Sequence, residues 1–151
     1  MGEALRYAAL AERLAVALVA HSLGSFAAQQ YLLGDSGDDA QVDAYIADAR
    51  CGFGLDVAGG QAMFAAARQV ADPARVAQMS TDLPVYVVVG SMDPVNSGLV
   101  LVTELVRRYE EAGLDNVTLV VYPEARHEVF NETNREEVFA GLVAWLDEQV
   151  G

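Results

Sequence analysis

The sequence contains a single cysteine, Cys51, and two histidines among its 151 residues. A lone cysteine excludes a disulfide framework within the chain. The two histidines, His21 and His127, and Cys51 do not have the spacing at which such side chains hold a zinc ion. We therefore expect no metal centre in this protein.

Basic side chains are scarce, and none of them is a lysine. Nine arginines stand against 22 acidic residues, which gives a net charge of −13 at pH 7. Nucleic acids and anionic membranes are both bound by basic surfaces. The charge therefore argues against a nucleic-acid partner and against binding to an anionic membrane.

Long hydrophobic runs are missing as well. No apolar segment approaches the length that spans a bilayer. Residues 1–15, MGEALRYAALAERLA, lack the basic-then-apolar order of a signal peptide. We therefore expect a cytoplasmic protein without a stable membrane anchor. Hydrophobic residues nevertheless make up 53% of the chain, which predicts a single globular domain over residues 1–151.

Apolar, β-branched segments alternate along the chain with segments of helical periodicity. We predict strands at residues 15–19, 42–47, 83–90 and 117–122, and helices at residues 3–14, 24–33, 61–70, 73–77, 97–112 and 132–149. This alternation predicts an α/β fold, with a mostly parallel sheet of about four strands flanked by helices. Residues 51–80 carry no strand signal, and we expect them to form a small helical cap insertion.

Polar side chains follow each predicted strand at its carboxyl end, namely Ser22, Asp48, Asp93 and His127. Ligands of parallel α/β sheets bind at that edge. The four side chains are therefore candidates for a common site.

Ser22 lies in the turn AHSLG, residues 20–24, between an apolar strand and a helix. A serine in a tight strand-to-helix turn has its hydroxyl exposed at the positive end of the helix, as an acyl-transfer nucleophile requires. The small residues Ala20 and Gly24 let strand and helix pack closely around the turn. The alternative is an ordinary junction in which Ser22 caps the helix.

A nucleophilic serine needs a general base and a carboxylate that orients the base. His127, in the loop after the last strand, suits the base, although a surface histidine near a helix start is the alternative. Asp93 suits the acid because it ends the turn after the clearest strand, and Asp48 is the rival acid. The chain order Ser, Asp, His is the order found in α/β-hydrolases.

The motifs around these residues resemble the α/β-hydrolases, specifically the bacterial lysophospholipase, monoglyceride-lipase and esterase branch of serine aminopeptidase S33 type. The segment AHSLGSFAAQQYLL is similar to the family's nucleophile elbow and following helix. VxGxxDPV, YPxARHExxNE and a helix ending in AWL are similar to its carboxyl-terminal half. The resemblance covers most of the chain.

This resemblance implies a serine carboxylic-ester hydrolase that works through an acyl-enzyme and needs no cofactor. Ser22 would be the nucleophile, Asp93 the acid, His127 the base, and the backbone N–H of Leu23 one donor to the oxyanion. The implied substrate is a small ester or a monoacyl lipid. We expect Phe53, Met63 and Phe64 to line its acyl pocket, although such a cluster is also typical of plain core.

The sequence departs from the family at its start, because only 21 residues precede Ser22. The family has several strands before the elbow, and a loop there supplies a second oxyanion donor. We expect the chain to lack these strands and to be a weak catalyst, since one lost donor costs about 3 kcal/mol. The alternative function is a truncated hydrolase with little turnover that acts as a dimerising or partner-binding module.

The strand at residues 15–19 would lack its usual upstream neighbour in such a sheet. An apolar edge strand is a site for pairing with another chain. We therefore expect a homodimer that pairs through residues 15–19, unless residues 1–14 cover this edge.

Overall fold

The computed structural model describes residues 37–51 and 56–150. Within these ranges it contains two strands, β1 (Val85–Gly90) and β2 (Val117–Tyr122), and five α-helices. The helices are α1 (Asp39–Ala47), α2 (Val57–Val70), α3 (Pro73–Val76), α4 (Val100–Glu111) and α5 (Arg135–Val150). The predictions for Ser22, Leu23 and Phe53, and for the edge strand at residues 15–19, lie outside the described residues.

The sheet of the described region consists of β1 and β2, which are parallel and in a register from Val85–Val117 to Gly90–Tyr122. The sequences VYVVVG and VTLVVY are rich in β-branched residues, which favour extended backbone. Helix α4 connects the strands and packs on β2. This βαβ unit confirms the predicted α/β fold with a parallel sheet.

The predicted strand at residues 42–47 is wrong, because these residues form most of helix α1. Asp38 caps the helix, with its side chain accepting a hydrogen bond from the backbone N–H of Ala40. The partly buried side chains Val42 and Tyr45 lie on one face at helical rather than alternating spacing. The apparent alternation in VDAYIA was therefore too weak to indicate a strand.

The core lies where α5 and the loop after β2 meet the sheet. Its buried residues are Tyr122, Ala125, Val129 and Val138, and the partly buried Val88, Val120 and Phe130 pack against them. Helix α5 also reaches β1, since the rings of Tyr86 and Trp145 have their centroids 5.1 Å apart.

The other described helices, α2 to α5, follow the predicted pattern with shifted ends. The helices predicted at residues 3–14 and 24–33 lie outside the described residues. Helix α4 ends before Gly113, whose φ of +88° is accessible to glycine at little cost. In the predicted cap region, α2 packs on α3 and α3 packs on α4. The role of residues 51–80 as a cap over a site stays a prediction. None of the described helices is long and apolar enough to cross a bilayer.

Candidate active site

Asp93 lies in a tight turn directly after β1, which we call the acid turn (residues 91–96). Its side-chain Oδ1 accepts a hydrogen bond from the backbone N–H of Val95 at 2.8 Å, and so caps the 3₁₀ helix Pro94–Asn96. Proline at the first helical position is suited to such a turn because its φ is already fixed. The carboxylate is held in one orientation, with its side chain only 6% exposed.

His127 lies in the loop after β2, which we call the histidine loop (residues 123–128). The backbone N–H of Ser91 donates to the carbonyl oxygen of Tyr122 at 2.9 Å, and that of Met92 donates to Ala125 at 2.9 Å. These hydrogen bonds continue the pairing of β1 and β2 past the end of the sheet. The acid turn and the histidine loop are thereby fixed side by side.

Gly90, the last residue of β1, allows this close approach. A Cβ atom on Gly90 would lie 2.1 Å from the carbonyl oxygen of Ala125 and 2.2 Å from that of Arg126. The histidine loop therefore passes so close to the end of β1 that residue 90 has no room for a side chain.

The structure brings Asp93 and His127 together. Nδ1 of His127 lies 3.1 Å from Oδ2 of Asp93, and the imidazole side chain is 19% exposed. When Nδ1–H of a neutral imidazole donates to a carboxylate, the lone pair is on Nε2. Such an imidazole can accept a proton at Nε2, and the carboxylate stabilises the resulting cation.

Asn96 connects the acid turn to helix α4. Its Nδ2 donates to Oδ2 of Asp93 at 3.4 Å, and its Oδ1 accepts from the backbone N–H of Val102 at 2.9 Å. Between Asn96 and the helix, the backbone passes through left-handed conformations at Ser97 and Leu99. Asn96 thus links the second carboxylate oxygen of Asp93 to the start of helix α4.

Asp48, the rival acid, follows a helix and not a strand. Its carboxylate forms an ion pair with Arg50, which lowers the pKa of Asp48, chiefly through their side-chain hydrogen bonds. The reason for considering Asp48, its place at a strand end, therefore no longer applies.

The other predicted site residues within the described ranges are Met63 and Phe64. Both lie on α2, where Met63 is partly buried and Phe64 is exposed. Their contribution to an acyl pocket stays a prediction. Among residues 37–51 and 56–150, no group of three or more histidine, cysteine, aspartate or glutamate side chains is placed to hold a metal ion.

Glu132 contacts the main chain of the histidine loop, although its sequence position predicted only the start of the last helix. It precedes α5, is 2% exposed, and accepts a hydrogen bond at Oε1 from the backbone N–H of Arg126 at 2.6 Å. Its other oxygen, Oε2, accepts from the backbone N–H of Gly37 at 2.5 Å. The only sequence signal was its position in the motif YPxARHExxNE.

The amino-acid sequence was compared with models of known protein families. The family model of the serine aminopeptidases S33 matches residues 34–134. The match includes Asp93, His127 and Glu132 and begins after Ser22. A search of curated proteins finds no match. Because the family model covers more than half of the chain, and the described βαβ unit agrees with it, the chain belongs to the serine aminopeptidase S33 family of α/β-hydrolases.

Proposed function

We propose that the protein is a serine carboxylic-ester hydrolase with Ser22 as nucleophile, His127 as general base and Asp93 as the acid that orients the base. The observation that carries the proposal is the 3.1 Å contact between Nδ1 of His127 and Oδ2 of Asp93. The pair stands after the carboxyl ends of two parallel strands, where α/β enzymes bind their ligands. The elbow motif around Ser22 supplies the nucleophile for this pair.

The reaction proceeds through an acyl-enzyme. Ser22 Oγ attacks the ester carbonyl carbon while its proton passes to Nε2 of His127, and Asp93 stabilises the imidazolium. The backbone N–H of Leu23 donates to the oxyanion. The C–O bond to the alcohol then breaks, and the alcohol leaves with the proton from His127. Water, deprotonated by His127, attacks the acyl-enzyme, and the acid product departs as Ser22 regains its proton.

Apolar side chains around the acid turn support an apolar acyl group in the substrate. Met92, Val100 and Leu101 are more than half exposed. A contiguous exposed apolar patch is typical of a surface that binds an apolar ligand, and we propose that these three side chains belong to such a patch. The net charge of −13 favours an uncharged ester over an anionic one and aids departure of a carboxylate product. A short-chain or monoacyl ester fits both properties.

The test is hydrolysis of a short-chain p-nitrophenyl ester by the wild-type chain, Ser22→Ala and His127→Ala. Ser80→Ala is the matched control, because Ser80 is exposed and its hydroxyl donates a hydrogen bond to the neighbouring Asp82, away from the Asp93–His127 pair along the chain. We expect turnover in the wild type and the control, and in the other two variants a fall to the background rate, by up to about 10⁶-fold in kcat.

Two other results would contradict parts of the proposal. Background rates in all four proteins would contradict catalysis and favour a binding module. Cleavage of an amino-acid p-nitroanilide, with no ester turnover, would keep the triad but replace the ester by a peptide substrate.

A further inference from the structure

We propose that Glu132 is a positioning residue, which sets the histidine loop so that His127 meets Asp93. This inference rests on the proposed function, since it assigns Glu132 to the site that contains those two residues. Glu132 does not touch the reacting atoms. It acts through the main chain of the residue that precedes His127.

The contacts of the Glu132 carboxylate carry the inference. Its two oxygens accept one backbone N–H each, that of Arg126 at 2.6 Å and that of Gly37 at 2.5 Å. A carboxylate that accepts from backbone N–H groups makes stronger and shorter hydrogen bonds than a neutral acceptor. Because Glu132 is 2% exposed, water has little access to replace either bond.

The position of Glu132 is itself fixed by neighbouring contacts. Nη1 of Arg135 donates to the carbonyl oxygen of Glu132 at 3.3 Å and to Oδ2 of Asp38 at 2.7 Å. Asp38 follows Gly37 and caps helix α1. The start of α1 and the start of α5 are therefore joined twice, and Glu132 extends this junction to the histidine loop.

The consequence for His127 follows from its main-chain neighbours. On one side, Gly90 permits the close approach of the loop to β1. On the other side, Glu132 holds the N–H of Arg126, one residue before His127. A shift of the loop changes the distance from Nδ1 to Asp93, and a displacement of about 1 Å at a catalytic group costs on the order of 100-fold in rate.

The main test is Glu132→Gln, which keeps the size of the side chain but presents an NH₂ group to one of the two N–H donors. Glu136→Gln is the matched control, because Glu136 is exposed in the first turn of α5 and loses the same charge. We expect Glu132→Gln to lower kcat by about 10-fold to 100-fold with KM nearly unchanged. Rates are divided by the number of active sites, counted with a serine-directed phosphonate.

A second variant leaves the carboxylate chemically intact. A Cβ atom on Gly37 would lie 2.5 Å from Oε2 of Glu132, so Gly37→Ala displaces this oxygen. We expect a smaller loss of kcat than in Glu132→Gln, again with little change in KM. This variant decides the matter if Glu132→Gln does not fold.

A readout independent of turnover is the low-field proton NMR signal of His127 Nδ1–H bonded to Asp93. We expect it in the wild type and Glu136→Gln, and its loss or upfield shift in Glu132→Gln and Gly37→Ala.

If the wild type shows no turnover that depends on Ser22, the proposed function fails, and this signal still decides the role of Glu132. Equal kcat per active site and an unchanged signal in Glu132→Gln, with only a lower melting temperature, would overturn the inference. An Arg126 amide that exchanges as fast as an exposed amide in the wild type would overturn it too.

Discussion

Gly90 and Ala125 approach each other so closely that no side chain fits between them. We predict that Gly90→Ala lowers the free energy of unfolding by about 2 kcal/mol or more, because the added methyl group overpacks against fixed main-chain oxygens. The same displacement moves the histidine loop, so kcat for ester hydrolysis also falls. Urea unfolding and ester turnover measure the two effects.

Gly60 provides the control for this substitution. A Cβ atom at Gly60 meets nothing within 4 Å, and the residue lies inside helix α2. Gly60→Ala should therefore raise the free energy of unfolding, by up to about 1 kcal/mol, since alanine favours helix over glycine. Equal changes of stability and turnover in Gly60→Ala and Gly90→Ala would contradict the described close approach of the histidine loop to Gly90.

Asp93 and Asp48 should respond very differently to replacement by asparagine. In Asp93→Asn the side-chain carbonyl oxygen can still cap the turn. The neutral amide, however, no longer fixes the tautomer of the His127 imidazole or stabilises its cation. We predict a loss of about 10⁴-fold in kcat for Asp93→Asn with the fold retained. Asp48→Asn breaks the exposed ion pair with Arg50 and should leave kcat unchanged. Turnover and circular dichroism of both variants test this, and a catalytic loss confined to Asp48→Asn would reverse the assignment.

Val138 tests the core beneath the histidine loop. Its side chain is fully buried against Tyr122, Ala125 and Val129. Val138→Ala should lower the free energy of unfolding by roughly 2 kcal/mol through lost burial and a residual cavity. Val143→Ala, on the exposed face of the same helix, should change it by less than about 0.5 kcal/mol. Similar urea midpoints for the two variants would argue against the described packing of α5.

Tyr86 should make stability fall in alkaline solution. Burial, and then the hydrogen bond with Tyr122, raise the pKa of Tyr86 from its ordinary value of 10.0 to about 12. Between these values the unfolded chain releases a proton that the folded chain keeps. This contribution to stability is therefore complete below pH 10.0 and is lost as the pH rises to about 12. Urea unfolding over this range should show a shallower pH dependence in Tyr86→Phe; an unchanged slope would contradict the prediction.

The two strands, and the proximity of Asp93 to His127, could be predicted from local sequence patterns. The segment VYVVVG is continuously apolar and mostly β-branched, and β2 occupies the predicted residues 117–122. Asp93 and His127 each follow one of these strands. Once the strands are parallel and adjacent, their carboxyl ends meet, and the two loops lie side by side.

Helix α1 and Glu132 could not be predicted in the same way. In α1 the apolar pattern is weak, no residue is buried, and the cap from Asp38 decides the helix start. The hydrogen bonds of Glu132 go to main-chain N–H groups of Arg126 and Gly37, the latter 95 residues away. Nearly every residue type has a main-chain N–H group, so the sequence does not indicate which of them Glu132 binds. Only the folded structure shows these contacts.

The proposed cooperation of Ser22, His127 and Asp93 is tested most directly by the rate at which a fluorophosphonate modifies the chain, with the adduct located by peptide mass spectrometry. An activated serine reacts because a neighbouring base takes its proton. We predict one adduct, on Ser22, in the wild type, with the rate greatly reduced in His127→Ala and Asp93→Asn and unchanged in Asp48→Asn. An adduct on another serine, or one rate shared by all four proteins, would contradict the assignment of these three residues to one catalytic site.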